Sequence, residues 1–323
     1  MRRYHARMSS LDDLRRHTRV VADTAEYLRL PGLGAQEATT NPSLVLRAVR
    51  AAEYAPLLRE PALREAAARD RDEAMDRLLV RFGCEIVQRV PGRVSTEIDA
   101  RLSHDTAASV ERARRVIGLY EACGVPRQRV LIKLASTWEG IEAARLLRDE
   151  GIACNMTLLF SFAQARACAA AGVQLVSPFV GRITDWARQQ AGAAWDAQAH
   201  SGERDPGVLA LLRIWNFYKA RAIATEVMGA SFRDVAQIAA LCGCDLLTVS
   251  PALLGELAQS SRPLPRRLDP DKPAPAEDDA PLALSRAGFA AALAADPMCS
   301  SKLEEGIGLF AADTEALLEL LRD

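Results

Sequence analysis

Short apolar runs recur along this chain, separated by longer stretches rich in Ala, Leu, Arg and Glu that carry helical spacing. Brief runs bounded by polar or small residues read as strands, and the stretches between them as helices or loops. Eight runs qualify: 20–23 (VVAD), a weak one at 37–40 (EATT), 94–98 (VSTEI), 130–134 (VLIKL), 152–157 (IACNMT), 174–177 (QLVS), 226–229 (EVMG) and 246–249 (LLTV). Strands alternating with helices predict the α/β class, and eight of them predict a single (β/α)8 TIM barrel with additional helices. An open doubly wound sheet would alternate in the same way, but no GxGxxG follows the first run.

The helical stretches carry their own punctuation. Asn41-Pro42 opens a helix at its first turn, and Gly124, Gly151 and Gly172 close helices just before the next strand. Residues 54–88 read as an insertion of two amphipathic helices, and residues 262–281, dense in proline and acid, as a surface loop. Helical pattern resumes at Ser285 and again near Met298. The expected organisation is a disordered extension over residues 1–8 and one barrel domain over 9–323.

Composition narrows the function. A net charge of -1 over 323 residues argues against nucleic acid or an anionic membrane as partner, so the anions this protein meets are expected to be small. The basic start MRR has no apolar segment behind it, and no window approaches the length of a membrane span. Seven cysteines without a CxxC pair form no disulfide framework, and Cys242 and Cys244 with four scattered histidines make a poor metal site. A reducing cytoplasmic location and no metal are therefore expected.

The chain uses lysine four times among 41 basic residues, and one of the four, Lys133, falls inside the apolar run 130–134. A charged head in a buried strand is costly unless paired or neutralised, and a neutral amine is a nucleophile toward carbonyls. The alternative is a strand-end lysine whose head reaches water. Nearly every other strand candidate also ends in a polar residue: Asp23, Asn41 just beyond its run, Glu97, Asn155 with Thr157, Ser177, Ser231 shortly past its run, and Ser250. In a barrel these ends converge on one mouth. Asn41, Ser177 and Ser250 could each be a helix cap instead.

Asp23 and Glu97 are candidates for proton transfer, which Schiff-base chemistry at an amine requires; pairing with arginines is the alternative. The loops 177–182 (SPFVGR) and 229–233 (GASFR) combine small residues with Arg182 and Arg233, a pattern fit to hold a small anion at the late loops of a barrel. Either arginine could instead be an ordinary surface residue.

The runs 38–44 (ATTNPSL), 94–102 (VSTEIDARL), 132–138 (IKLASTW), 154–165 (CNMTLLFSFAQA), 177–183 (SPFVGRI) and 228–233 (MGASFR) resemble the transaldolase family. The likeness extends from about residue 11 to the C-terminal helix. It is closer to the longer transaldolases of the pentose phosphate pathway than to the short fructose-6-phosphate-aldolase-like branch.

It implies that Lys133 forms the Schiff base, that Asp23 handles the substrate hydroxyl, and that Glu97 and Thr157 hold a catalytic water. It further implies substrate contacts from Asn41, Asn155, Ser177 and Phe179, and a phosphate site of Arg182, Ser231 and Arg233. The implied reaction passes a dihydroxyacetone unit from sedoheptulose 7-phosphate or fructose 6-phosphate to glyceraldehyde 3-phosphate or erythrose 4-phosphate, in a homodimer without cofactor.

Three departures stand outside that set: His104 replaces an aromatic residue usual in relatives, Gly308 replaces a common arginine, and residues 189–200 lack the usual lysines. A simple aldolase that releases dihydroxyacetone, and a catalytically silent sugar-phosphate-binding barrel, remain as rivals.

Overall fold

A computed structural model describes residues 8–275 and 282–322. Eight strands form the sheet: β1 (Arg19–Asp23), β2 (Glu37–Thr39), β3 (Val94–Glu97), β4 (Val130–Ala135), β5 (Cys154–Leu159), β6 (Leu175–Pro178), β7 (Glu226–Gly229) and β8 (Leu246–Val249). All pairings are parallel, and β8 returns to β1, so the sheet is a closed (β/α)8 barrel in sequence order. All eight apolar runs lie on these strands. The largest shift is at β5, which starts and ends two residues later than its run. There Leu158 adopts a φ of 52° and the register with β6 slips between Met156 and Leu159.

Period-2 alternation sorts the strand residues into two faces. Val20, Ala22, Ala38, Val94, Ile132, Leu134, Met156, Val176, Val227, Leu247 and Val249 join the large core shared with the helices. Their neighbours face the barrel axis and stack in layers. Val21, Leu131, Leu175, Met228 and Leu246 pack together as the apolar middle layer.

Below that layer, at the strands' N-terminal ends, Arg19 bonds Glu37 at 3.1 Å and Glu226 at 2.8 Å, while Arg93 bonds Glu37 at 3.0 Å and Glu226 at 2.8 Å. Because β3 and β7 stand four strands apart in the ring, the Arg93–Glu226 pair spans the axis. Above the apolar layer the inward residues turn polar.

The stretch 54–88 contains a 3-10 turn (Ala55–Arg59) and two helices, Pro61–Arg69 and Arg71–Val87. Asp70 separates the helices and caps the second, accepting from Asp72 N at 2.9 Å. Tyr27, Tyr54 and Phe82 form an aromatic cluster under this layer, with Tyr27–Tyr54 ring centroids 5.0 Å apart in an edge geometry. Burying each ring contributes about 2 kcal/mol by area alone.

The Pro-rich stretch has no helix or strand over its described part, residues 262–275; residues 276–281 lie outside the described residues. It is pinned by Leu264 and Leu268, both buried, and by Arg267 N and Leu268 N bonding Cys242 O. The expected extension at 1–8 lies outside the described residues except for Met8, which is exposed. Helices Arg286–Ala294 and Pro297–Leu320 complete the chain. Among the described residues no helix is long and apolar enough to cross a membrane.

Candidate active site

Lys133 is inward-facing on β4, and its register partners on either side are Glu97 of β3 and Asn155 of β5. Parallel partners point to the same face, so pairing alone gathers the amine, the carboxylate and the amide. Lys133 is 5% exposed and its Nζ lies 2.8 Å from Glu97 Oε2 and 3.4 Å from Thr40 O. Oε2 meets the Lys133 amine as an ion pair and has no other polar partner among the described residues. Burial pushes the Glu97 carboxyl above its ordinary range, against the opposing pull of Lys133. Thr157, paired in register with Ala135, presents a buried Oγ1 that lacks a hydrogen-bond partner among the described residues.

Asp23 ends β1 on the same face. Thr39 Oγ1 donates to its Oδ1 at 3.0 Å and lies 3.1 Å from Thr248 Oγ1, so the carboxyl is oriented from β2 and β8. Burial raises the Asp23 value, offset by the charges of Lys133 and Arg47 and by the Thr39 bond. Among the described residues neither Asp23 nor Glu97 pairs with an arginine; Glu97 pairs with Lys133 instead. Asn155 is held at both ends: Ser177 Oγ donates to its Oδ1 at 2.6 Å, and its Nδ2 donates to Ser95 Oγ at 3.1 Å.

Of the three polar residues that could have been caps, Ser177 is not one. Asn41 does cap, accepting from Leu44 N at 2.9 Å, yet it also lines the cavity, leaving its amide nitrogen for a ligand. Ser250 caps the helix Pro251–Gln259 and borders the outer part of the mouth.

The mouth holds two connected spaces, an inner cavity of about 300 Å³ reaching Lys133 and an outer one of about 640 Å³, with Asp23, Ser231 and Thr248 lining both. Asn41, Thr157, Ser177, Phe179 and Arg182 line the inner cavity, and Arg233 the outer. Glu97 and Asn155 stand behind this surface, next to Lys133.

Arg182 is half-buried, stacked 5.2 Å from the Phe179 ring and 5.9 Å from Phe310, and its Nη1 has no hydrogen-bond partner. Burial and the neighbouring charge of Arg233 push it below the usual arginine value. Arg233 is exposed and braced by Asp185 at 2.8 Å and by Ser231 O at 3.2 Å. Ser231 itself has a φ of 62°, and its carbonyl accepts from Gly181 N at 3.1 Å. A Cβ on Gly181 would sit 2.1 Å from that oxygen, so only glycine lets the two loops meet.

Several contributors were not apparent from the sequence. Thr39, Thr248 and Ser95 orient Asp23 and Asn155 from inward positions that period-2 counting along each strand would have flagged. Phe310 comes from the helix Pro297–Leu320, far along the chain, with no local signal. Arg47 follows Ser43 by one helical turn and shares its cavity-facing side.

Two of the sequence departures sit outside these cavities: His104 is exposed between Glu139 and Glu304, and Gly308 faces open space. In the third, Trp195 and His200 stack at 4.3 Å.

Among proteins of known family, the model for transaldolase/fructose-6-phosphate aldolase matches residues 20–321.

Proposed function

Because the chain belongs to the transaldolase/fructose-6-phosphate aldolase family, we propose that it acts as a transaldolase, moving a dihydroxyacetone unit from a ketose phosphate to an aldose phosphate through a Schiff base on Lys133. The observation that carries this reading is the buried Lys133–Glu97 pair at 2.8 Å beneath an inner cavity lined by Asp23, Thr157 and Arg182.

Lys133 passes its proton to Glu97, whose buried carboxyl favours the protonated form, and the free amine attacks the C2 carbonyl of the ketose. Glu97 Oε2, whose only close partner is the Lys133 amine, and Thr157 Oγ1, which has no hydrogen-bond partner among the described residues, are suited to hold a water through which the carbinolamine is protonated and loses its hydroxyl. Asp23 takes the C4 hydroxyl proton, the C3–C4 bond breaks, and its electron pair moves into the iminium to give an enamine.

On this reading Asn155 and Ser177 bond the dihydroxyacetone hydroxyls, Asn41 bonds the remainder of the chain and Phe179 packs against it. Arg182, Ser231 and Arg233 hold the phosphate, remote binding that orients the reacting carbons. The aldose leaves, a second aldose adds to the enamine by the reverse path, and hydrolysis frees Lys133. All electron movement runs through the lysine, so the steps need no cofactor. Sedoheptulose 7-phosphate and fructose 6-phosphate as donors, glyceraldehyde 3-phosphate and erythrose 4-phosphate as acceptors, a cytoplasmic setting and a homodimer complete the proposal.

The test is intact-protein mass spectrometry after incubation with fructose 6-phosphate and borohydride. A dihydroxyacetone-sized adduct on wild type but not on Lys133→Met is expected, and its absence from folded wild type that binds the sugar would favour a silent barrel. Free dihydroxyacetone released without acceptor would instead identify the simple aldolase.

A further inference from the structure

Of the four arginines at the mouth, two are committed to carboxylates and a third, Arg182, is half-buried against Phe179 and Phe310. Arg29 pairs with Glu26 at 2.9 Å and Arg233 with Asp185 at 2.8 Å. Arg47 is different. It projects from the helix Pro42–Val49, is exposed, and no hydrogen bond or ion pair with another described residue holds it. It borders both the inner and the outer cavity, so it stands where they join. Its helix follows β2, whereas Arg182 and Arg233 follow β6 and β7; β2 and β6 lie four strands apart in the ring, so Arg47 approaches the mouth from the opposite wall. Its charge is felt at Asp23, which places the guanidinium close to the reacting end of a bound sugar.

A cation with no protein partner at the neck of a cavity is poised to meet an anion that arrives with the substrate, since charge-assisted bonds from a guanidinium to a phosphate are among the strongest available. We propose that Arg47 is a phosphate-binding and specificity-determining residue, closing on the substrate phosphate from the wall opposite Arg182 and Arg233. The inference rests on the sugar-phosphate reading of the site. It adds a preference for phosphorylated over unphosphorylated aldoses that comes from the β2 side of the barrel.

Two measurements test it on the full chain. Calorimetric titration with glycerol 3-phosphate, which carries no carbonyl and cannot react, isolates anion binding from chemistry. Arg47→Gln is expected to weaken it about tenfold and Arg47→Lys by less, since the ammonium keeps the charge but loses the fork. In steady state, the ratio of kcat/KM for glyceraldehyde 3-phosphate to that for glyceraldehyde should fall by a similar factor in Arg47→Gln.

Unchanged glycerol 3-phosphate affinity, or an equal loss with both aldehydes accompanied by a shifted pH profile, overturns the proposal and leaves Arg47 as a modulator of Asp23. Wild type that gives no borohydride adduct while Arg47→Gln still loses phosphate affinity would sink the transaldolase reading and keep the anion site.

Discussion

Lys133 Nζ and Glu97 Oε2 lie 2.8 Å apart because Glu97 and Lys133 are register partners on adjacent strands, with both side chains facing the barrel axis. The pair is buried, so the proton it shares has few alternative homes.

Replacing Lys133 with Met removes the proposed nucleophile while filling its volume. Turnover should fall by about 10³-fold or more while sugar-phosphate binding persists. Glu97→Gln keeps the shape but removes the proton acceptor, and should slow adduct formation by about 10²–10⁴-fold. Rapid-quench borohydride trapping separates that slow step from weak binding; an unaltered trapping rate in Glu97→Gln would remove Glu97 from the proton path.

In the proposed mechanism Asp23 must be ionised to accept the C4 hydroxyl proton, and burial raises its value above the ordinary 3.8. Activity should therefore rise with pH along an acid limb displaced above that value, since the base is protonated and silent below its folded value. Asp23→Asn should lower kcat by about 10²–10⁴-fold and erase that limb. A pH–rate profile of the residual activity that keeps the limb assigns it to another group.

Gly181→Ala would press a methyl to within 2.1 Å of Ser231 O and 2.8 Å of Arg233 Cγ. The loop must shift, at a cost of about 1–3 kcal/mol in stability. Arg233 moves with it, so the KM for phosphorylated substrates should rise while that for glyceraldehyde changes little. Denaturant melts with parallel kinetics give both quantities.

Asp76 is 1% exposed and bonds Arg112 at 3.1 Å and Arg115 at 2.6 Å, tying the helix Arg71–Val87 to the helix Thr106–Ala122. Removing one member of a buried ion pair leaves its partner uncompensated. Asp76→Ala should cost about 3–5 kcal/mol, partly offset because Arg112 also bonds Asp72 at 2.8 Å. The Arg112→Met, Asp76→Leu double variant should recover much of that loss in urea melts.

The barrel was legible because a parallel sheet buried on both sides writes each strand as a short apolar run, and a polar residue interrupting such a run is conspicuous. Lys133 and Glu97 stood out for that reason. Asn155 and Thr157 were visible as polar residues in an otherwise apolar segment, but the Ser177–Asn155–Ser95 chain was not, because it depends on side-chain contacts across three strands. Phe310 reaches the site from a helix that packs over the mouth, and helical periodicity gives the buried face of a helix without saying what that face covers. The weak run at 37–40 carried Thr39, whose hydroxyl orients Asp23; a three-residue strand whose two inward side chains, Glu37 and Thr39, are both polar has little apolar pattern to show.

The Arg93–Glu226 bond that crosses the axis, with Arg19 and Glu37 beside it, makes the barrel a cup instead of a tube. Its floor is laid with charge and sealed by the apolar layer above, so in the proposed transfer the donor, departing aldose and incoming acceptor would all use one doorway. A visitor must leave before the next can enter, and a lingering first product blocks the second substrate by occupying its only path. If the proposed exchange is the reaction, its order of events is imposed from the end of the molecule farthest from the chemistry.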